Sequence, residues 1–266
     1  MWNEQENRKV LIRVALFWGL YVGGIFLTGQ LQPVVPAPSG PLMRGAASVP
    51  LVFLLNYLFS RYERRTLSEI WISLRKRDSV NLCLGLVIGL SFLPLTLATC
   101  ALLAGPIQLQ PAVAYHVPGI LISCVQIALL VIMEELGFRA YALSSLVAVL
   151  GKWKGQAITD LAFALCHVLF GWSLQSILTG VLPSGLLFGA MALTTRSVSS
   201  AIGIHLGMNL SQWAIRDHDG LVRIVIDQDI QASVQTKAMI INLTLVLIWC
   251  LVFWWKGKRH EENQRI

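Results

Sequence analysis

The sequence predicts an all-α protein, a polytopic transmembrane helix bundle of about eight spans with its N- and C-termini in the cytoplasm. Three observations lead there. Of the 266 residues, 55% are hydrophobic and only 13% are charged, against about 25% charged in an ordinary soluble domain. Several apolar runs approach or exceed the roughly 18 residues that can cross a hydrocarbon core. The basic residues gather on one side once those runs are threaded through a bilayer. A soluble chain this apolar could not cover its own surface, whereas helices in lipid satisfy their own backbone groups.

Taken in order, the spans fall at about 10–28, 45–60, 82–104, 118–139, 157–172, 174–195, 198–216 and 238–255. They follow one another so closely that residues 1–266 read as a single integral membrane domain. The run Val14–Thr28 has the look of a signal peptide, but Gln30-Leu31-Gln32-Pro33 stands where a small-residue cleavage site would be, so the span is expected to be retained. The prolines of Pro33–Pro41 make a loop. Arg61–Arg77 interleaves Leu67, Ile70, Trp71 and Leu74 with basic residues, which suits either a helix lying on the membrane surface or a plain linker. Tyr141–Leu150 carries the same two readings. Trp153, Trp172, Trp213, Trp254 and Trp255 stand near span ends and read as interfacial anchors.

Charge tests this layout independently. With the N-terminus inside, the cytoplasmic face receives Arg8, Lys9, Arg13, Arg61, Arg64, Arg65, Arg75, Lys76 and Arg77. It also receives Arg139, Lys152, Lys154, Arg196, Lys256, Lys258, Arg259 and Arg265, making 17 of the 21 basic residues. The opposite side keeps Arg44, Arg216, Arg223 and Lys237, the last three in or beside a loop with Asp217, Asp219, Asp227 and Asp229. The net charge of +7 is thus a matter of topology. The expected partner is the lipid bilayer, and no nucleic acid is expected. The five cysteines are odd in number and form no CxxC pair, so neither a disulfide framework nor a thiolate zinc site is expected.

Ionisable groups inside a span cost about 2.5–3.5 kcal/mol each on insertion scales and point to function by default. The fourth span ends in Glu134, Glu135 and Arg139, the fifth holds Asp160 and His167, and the seventh holds His205 and Asn209. Helical rise puts Glu134, His167, His205 and Asn209 about 9–16 Å from the cytoplasmic end, in one layer. His205 and Asn209 are four apart and share a face. Glu135 and Arg139 are also four apart, and Glu134 points about 100° away from Glu135, so one acid can be neutralised while its neighbour faces the site. Asp160, near the end of its span, reads as solvated or capping. His116, His218 and His260 fall in loops or the tail. A buried carboxylate beside an imidazole can hold and deprotonate water, and a second His with an Asn can hold an oxyanion. Together they could hydrolyse an amide. Glu134, His167 and His205 could instead bind zinc with a water in the fourth place, although HExxH is absent. Ser211 and Cys166 lie off the relevant faces and are poor nucleophile candidates. A proton-coupled transporter or a non-catalytic membrane scaffold could use the same buried polar residues.

At these positions the sequence resembles the CAAX protease and bacteriocin-processing family (CPBP, or Abi) of intramembrane endopeptidases, which includes the Ras-converting CAAX endopeptidases. Glu134-Glu135-Leu136-Gly137-Phe138-Arg139 is similar to the family's EExxxR, Phe163–His167 to FxxxH and His205–Asn209 to HxxxN, in that order over about 118–216. The resemblance implies an intramembrane hydrolase with Glu134 as general base and His167 positioning the water. His205 and Asn209 would be the oxyanion hole, and Glu135 and Arg139 would support. It implies a peptide or membrane-protein substrate. A prenylated C-terminus follows by analogy with one branch; peptide maturation, bacteriocin self-protection or cleavage of a membrane regulator are the others. The family has been described as both metal-dependent and glutamate-dependent. A metal-free reaction without cofactor is the expectation, with a divalent ion such as zinc the alternative. In a bacterial host the location would be the plasma membrane.

Overall fold

The computed structural model describes residues 4–33, 39–111, 117–215 and 220–263. Its helices are α1 (Glu4–Gly29), α2 (Ser39–Tyr62), α3 (Lys76–Ala104), α4 (Val117–Phe138), α5 (Tyr141–Leu150), α6 (Lys152–Leu169), α7 (Leu174–Ser176), α8 (Leu182–Thr195), α9 (Val198–Ala214) and α10 (Gln228–Asn263). Every predicted span overlaps a helix. Six segments are long and apolar enough to cross a membrane: α1, α2, α3, α4 with α5, α7 with α8, and α10. The other two are shorter or more charged. α6 carries Lys152, Lys154 and Asp160 in 18 residues, and α9 has 17 residues. At about 1.5 Å per residue both fall slightly short of a ~30 Å core.

Several expectations give way to the packing. Pro41 lies in the first turn of α2 rather than in a loop, where the missing N–H would have had no partner anyway. Between α2 and α3 there is no surface helix but a 3₁₀ turn, Leu67–Ile70, with Ile70 fully buried. The linker reading therefore holds for Arg61–Arg77. Tyr141–Leu150 is a helix, but its residues from Tyr141 to Leu146 are all buried against the bundle instead of lying on the membrane surface. Trp213 is buried too, whereas Trp153, Trp172, Trp254 and Trp255 are exposed. Two strands appear that no sequence pattern announced: Gln108–Pro111 (β1) pairs antiparallel with Val222–Val225 (β2), Gln108 opposite Val225. This ribbon ties the segment after α3 to the segment after α9. His116, Arg216, Asp217, His218, Asp219 and Arg265 lie outside the described residues, as do the side chains of Lys258, Arg259 and His260.

The closest helix pair is α3 with α9, and glycine explains it. Gly85 and Gly89 on α3 face Gly203 and Gly207 on α9. A Cβ at Gly89 would stand 2.2 Å from the Ile204 carbonyl, and one at Gly203 would stand 2.2 Å from the Leu82 carbonyl. Each helix thus presents a Gly-xxx-Gly step to the other. In lipid, where apolar side chains gain nothing by leaving their solvent, such close backbone approach is what holds helices together. In the segment from α7 to α8, a π-turn at Ile177–Val181 precedes Pro183. The extra residue in that turn relieves the clash a proline ring would make with the carbonyl four residues back.

Candidate functional site

The site begins where α4 stops. Between Phe138 and Tyr141 the helix breaks, with Ala140 at φ −86°, ψ −105°, and the break frees backbone groups deep in an apolar bundle. Asn56 of α2, itself fully buried, satisfies them: its Nδ2 donates to the Leu136 carbonyl at 3.0 Å and its Oδ1 accepts from the Tyr141 N–H at 3.0 Å. Without lipid-side water to do this, a side-chain amide is required. Gly137 admits α1: Trp18 Nε1 donates to its carbonyl at 3.2 Å, and the Tyr21 ring occupies the space a Cβ would need. Each residue of the stretch from Leu136 to Arg139 therefore has a structural reason, and Glu134 and Glu135 are held one turn above a pinned elbow.

Arg139 points back into the bundle and is 0% exposed. Its Nε lies 3.5 Å from Glu135 Oε2, and one Nη lies 3.5 Å from Asp160 Oδ1 and donates to the Gly185 carbonyl at 3.2 Å. The faces of Phe163 (4.3 Å), Phe188 (5.7 Å) and Phe138 (5.8 Å) surround the guanidinium, an arrangement that attracts a cation strongly once water is excluded. Gln156, one turn before Asp160 on α6, donates to Asp160 Oδ2 at 2.6 Å and to the Leu186 carbonyl at 3.2 Å. Gly189 leaves the room for Gln156, since a Cβ there would overlap its amide. Asp160 is thus a buried partner of Arg139 and not solvated or capping. Its helix begins at Lys152, five residues earlier than the apolar run suggested, so Asp160 sits two turns inside.

His205 links the two acids. Its Nδ1 stands 2.8 Å from Glu135 Oε1 and its Nε2 stands 3.8 Å from Glu134 Oε2. Glu135 is fully buried while Glu134 is a quarter exposed. With Nδ1–H donating to Glu135, Nε2 is the nitrogen offered to the open side, and 3.8 Å is a neighbour's distance rather than a hydrogen bond. Phe188 stacks on the imidazole at 4.3 Å with 17° between planes, which fixes the ring's orientation. Asn209, one turn further along the same face of α9, is half-buried, and its Cβ is about 5–6 Å from that of His205.

His167 joins differently. It lies in the last turn of α6, and its Nδ1 donates to the Phe163 carbonyl at 2.9 Å, leaving Nε2 as the acceptor. The Phe163 ring stands between the two histidines, 4.6 Å from His167 and 6.4 Å from His205. Trp172 packs edge-on to His167 at 5.1 Å. Among the described residues, no group of three His, Cys, Asp or Glu side chains is gathered as a metal site, and that includes the set Glu134, His167 and His205. All five cysteines are free thiols. Ser211 donates to the Leu90 carbonyl at 3.3 Å, on the side of α9 facing α3.

The sequence reading missed Asn56, Gln156, Gly185, Phe188 and the role of Asp160. A signal for part of this was present: Gln156, Asp160, Phe163 and His167 recur at helical spacing and form one inward stripe.

Residues 116–211 match the family described as type II CAAX prenyl endopeptidase Rce1-like. That segment contains all three motifs, and the family is the one they resemble. A comparison with curated proteins finds no match. With its six membrane-crossing segments and this match, the chain is an integral, multi-pass membrane protein, and the matched family is one of endopeptidases.

Proposed function

We propose that this protein is an intramembrane endopeptidase that hydrolyses a peptide bond near the cytoplasmic face, with Glu134 as its general base. The observation that supports this most is the pair of adjacent carboxylates on the two nitrogens of one imidazole, with only Glu134 open to the site. Glu134 takes a proton from water as the water oxygen attacks the carbonyl carbon. The resulting oxyanion accepts hydrogen bonds from Asn209 Nδ2 and from the Nε2–H of a doubly protonated His205, whose Nδ1–H stays on Glu135, and His167 Nε2 helps to hold the water. The C–N bond then breaks as Glu134 passes its proton to the leaving amine. Glu135, Arg139 and Asp160 position His205 and touch no substrate. No step is routed through a metal ion.

In this reading the catalytic core is the segment around 118–216 within a single membrane domain. The chain crosses the bilayer eight times with both ends cytoplasmic, α6 and α9 being the two short inner spans. Their shortness suits a site that water must reach. The substrate is a peptide or membrane protein, and a prenylated C-terminal peptide is the first to try.

The test uses the full chain reconstituted in liposomes with a prenylated peptide and its unprenylated twin, each followed by mass spectrometry. Cleavage abolished by Glu134→Gln and insensitive to a zinc chelator supports the reading. Cleavage that chelation removes and zinc restores replaces it with a metal-dependent one. A biological phenotype that survives Glu134→Gln with no cleavage points to a scaffold, and substrate-dependent flux without cleavage points to a carrier.

A further inference from the structure

Where α2 gives way to α3, apart from Glu134 and His205, a cavity of about 560 Å³ is lined by Arg65, Arg75, Arg77 and Arg196. Three acids also line it, but each is already engaged. Glu63 is ion-paired with Arg13 at 2.8 Å and accepts from the Tyr141 hydroxyl at 2.8 Å. Glu69 accepts from the Thr66 N–H at 2.6 Å and its hydroxyl at 2.7 Å, and these bonds hold its carboxyl below the usual range. Asp78 accepts from Ser73, from the Arg75 N–H and from Ser197.

The arginines divide into two kinds. Arg65 is fixed, donating to Ser145 at 2.7 Å, Ser144 at 3.0 Å and the Glu69 carbonyl at 3.0 Å, and Arg77 donates to the Thr195 carbonyl at 3.3 Å. The guanidinium groups of Arg75 and Arg196 donate no hydrogen bond among the described residues. Trp71 (φ 67°) and Arg196 (φ 49°), which both line the cavity, each close a helix in the left-handed conformation, a common helix stop. A concave wall of four guanidinium forks and several hydroxyls, whose three carboxylates are turned onto bonds of their own, matches the tetrahedral oxygens of a phosphate.

We propose that this cavity binds a phosphate group, gripped by Arg75 and Arg196 against a fixed wall of Arg65 and Arg77. The shared chemistry has two sources, the headgroup of an anionic phospholipid or a soluble phosphate. The proposal stands independently of the protease reading. Through Ser144, Ser145 and Ser197 the cavity wall is bonded to the start of α5 and to the entry of α9. An occupant would therefore press on the elbow behind Glu134 and on the helix bearing His205.

The experiment is native mass spectrometry of the detergent-purified full chain with phosphatidylglycerol, phosphatidylcholine or inorganic phosphate. The expected result is retention of phosphatidylglycerol over phosphatidylcholine. R75A/R196A should weaken it by about 25-fold, roughly fivefold for each basic residue that meets an anionic headgroup. R75K/R196K, which keeps charge but loses the fork, should fall between. K154A/K256A removes the same charge from outside the cavity and should change binding less than about twofold, because exposed charges that do not meet the headgroup are screened by salt. Displacement of the lipid by inorganic phosphate, with the same ranking of variants, assigns the site to a soluble phosphate. Equal retention of the two lipids with no phosphate bound, or equal losses in R75A/R196A and K154A/K256A, overturns the proposal.

Discussion

The two faces of α9 differ in kind. One face, through Gly203 and Gly207, lies so close to α3 that no side chain fits between the backbones. The opposite face, rotated by about 200°, carries His205 and Asn209 toward α4, where two carboxylates and a buried guanidinium wait. The first contact is apolar and gains only from closeness. The second is polar: His205 Nδ1 stands 2.8 Å from Glu135 Oε1, a short bond that holds only while α9 keeps its place. The glycine seam behind it fixes that place. The lesson is that in lipid the reactive face of a helix can be positioned by the featureless face behind it.

Variants can separate these two roles. Glu134→Gln should have the largest effect, lowering the cleavage rate by about a hundredfold to ten-thousandfold, with little change in melting temperature because Glu134 is partly exposed. A melting temperature that falls in step with activity would make Glu134 a structural acid. Next is Arg139→Met, which leaves Glu135 and Asp160 buried without their shared cation. A loss of about 3–5 kcal/mol is expected, partly recovered by adding Asp160→Asn, and thermal unfolding of the two variants in nanodiscs checks it. No recovery would break the inference that Arg139 and Asp160 form one unit.

Asn209→Ala should slow cleavage by about a hundredfold to a thousandfold if it donates to an oxyanion, visible as a fall in kcat with KM nearly unchanged. A pure KM effect would move Asn209 to substrate binding. The smallest effect is expected on the other face. Gly207→Val places a side chain against the Leu86 carbonyl and should cost about 1–3 kcal/mol of stability. Residual activity of the folded fraction should fall only as His205 shifts. An activity loss equal to that of Asn209→Ala, at unchanged stability, would erase the distinction between the faces.

How much of this could be read in advance depends on the range of each interaction. Glu135 meeting Arg139, and His205 sharing a face with Asn209, are consequences of helical spacing within one segment. They are legible in any chain whose spans are legible. Asp160 was misplaced because an apolar run marks the lipid-crossing part of a helix and not its first turns, and α6 starts with Lys152 and Lys154. The buried position of α5 and of Trp213 was hidden for a related reason, since hydropathy does not distinguish a residue facing lipid from one facing another helix. The partnership of Asn56 with Leu136 and Tyr141 spans 80 and 85 residues, and no local pattern announces it. The Gly-xxx-Gly steps were visible as letters, but which helix each would meet was not.

By itself the sequence determined that this chain lives in a bilayer, where its helices run and which few polar residues lie within them. These follow from solvation and helical periodicity, which act residue by residue. Only the tertiary structure decided which acid is neutralised, which stays open, and that Phe163 and Phe188 flank His205 while a buried guanidinium backs its partner Glu135. Those outcomes depend on the distances between helices, and in lipid such distances are set by close packing and interhelical hydrogen bonds that exist only once all the partners are in place.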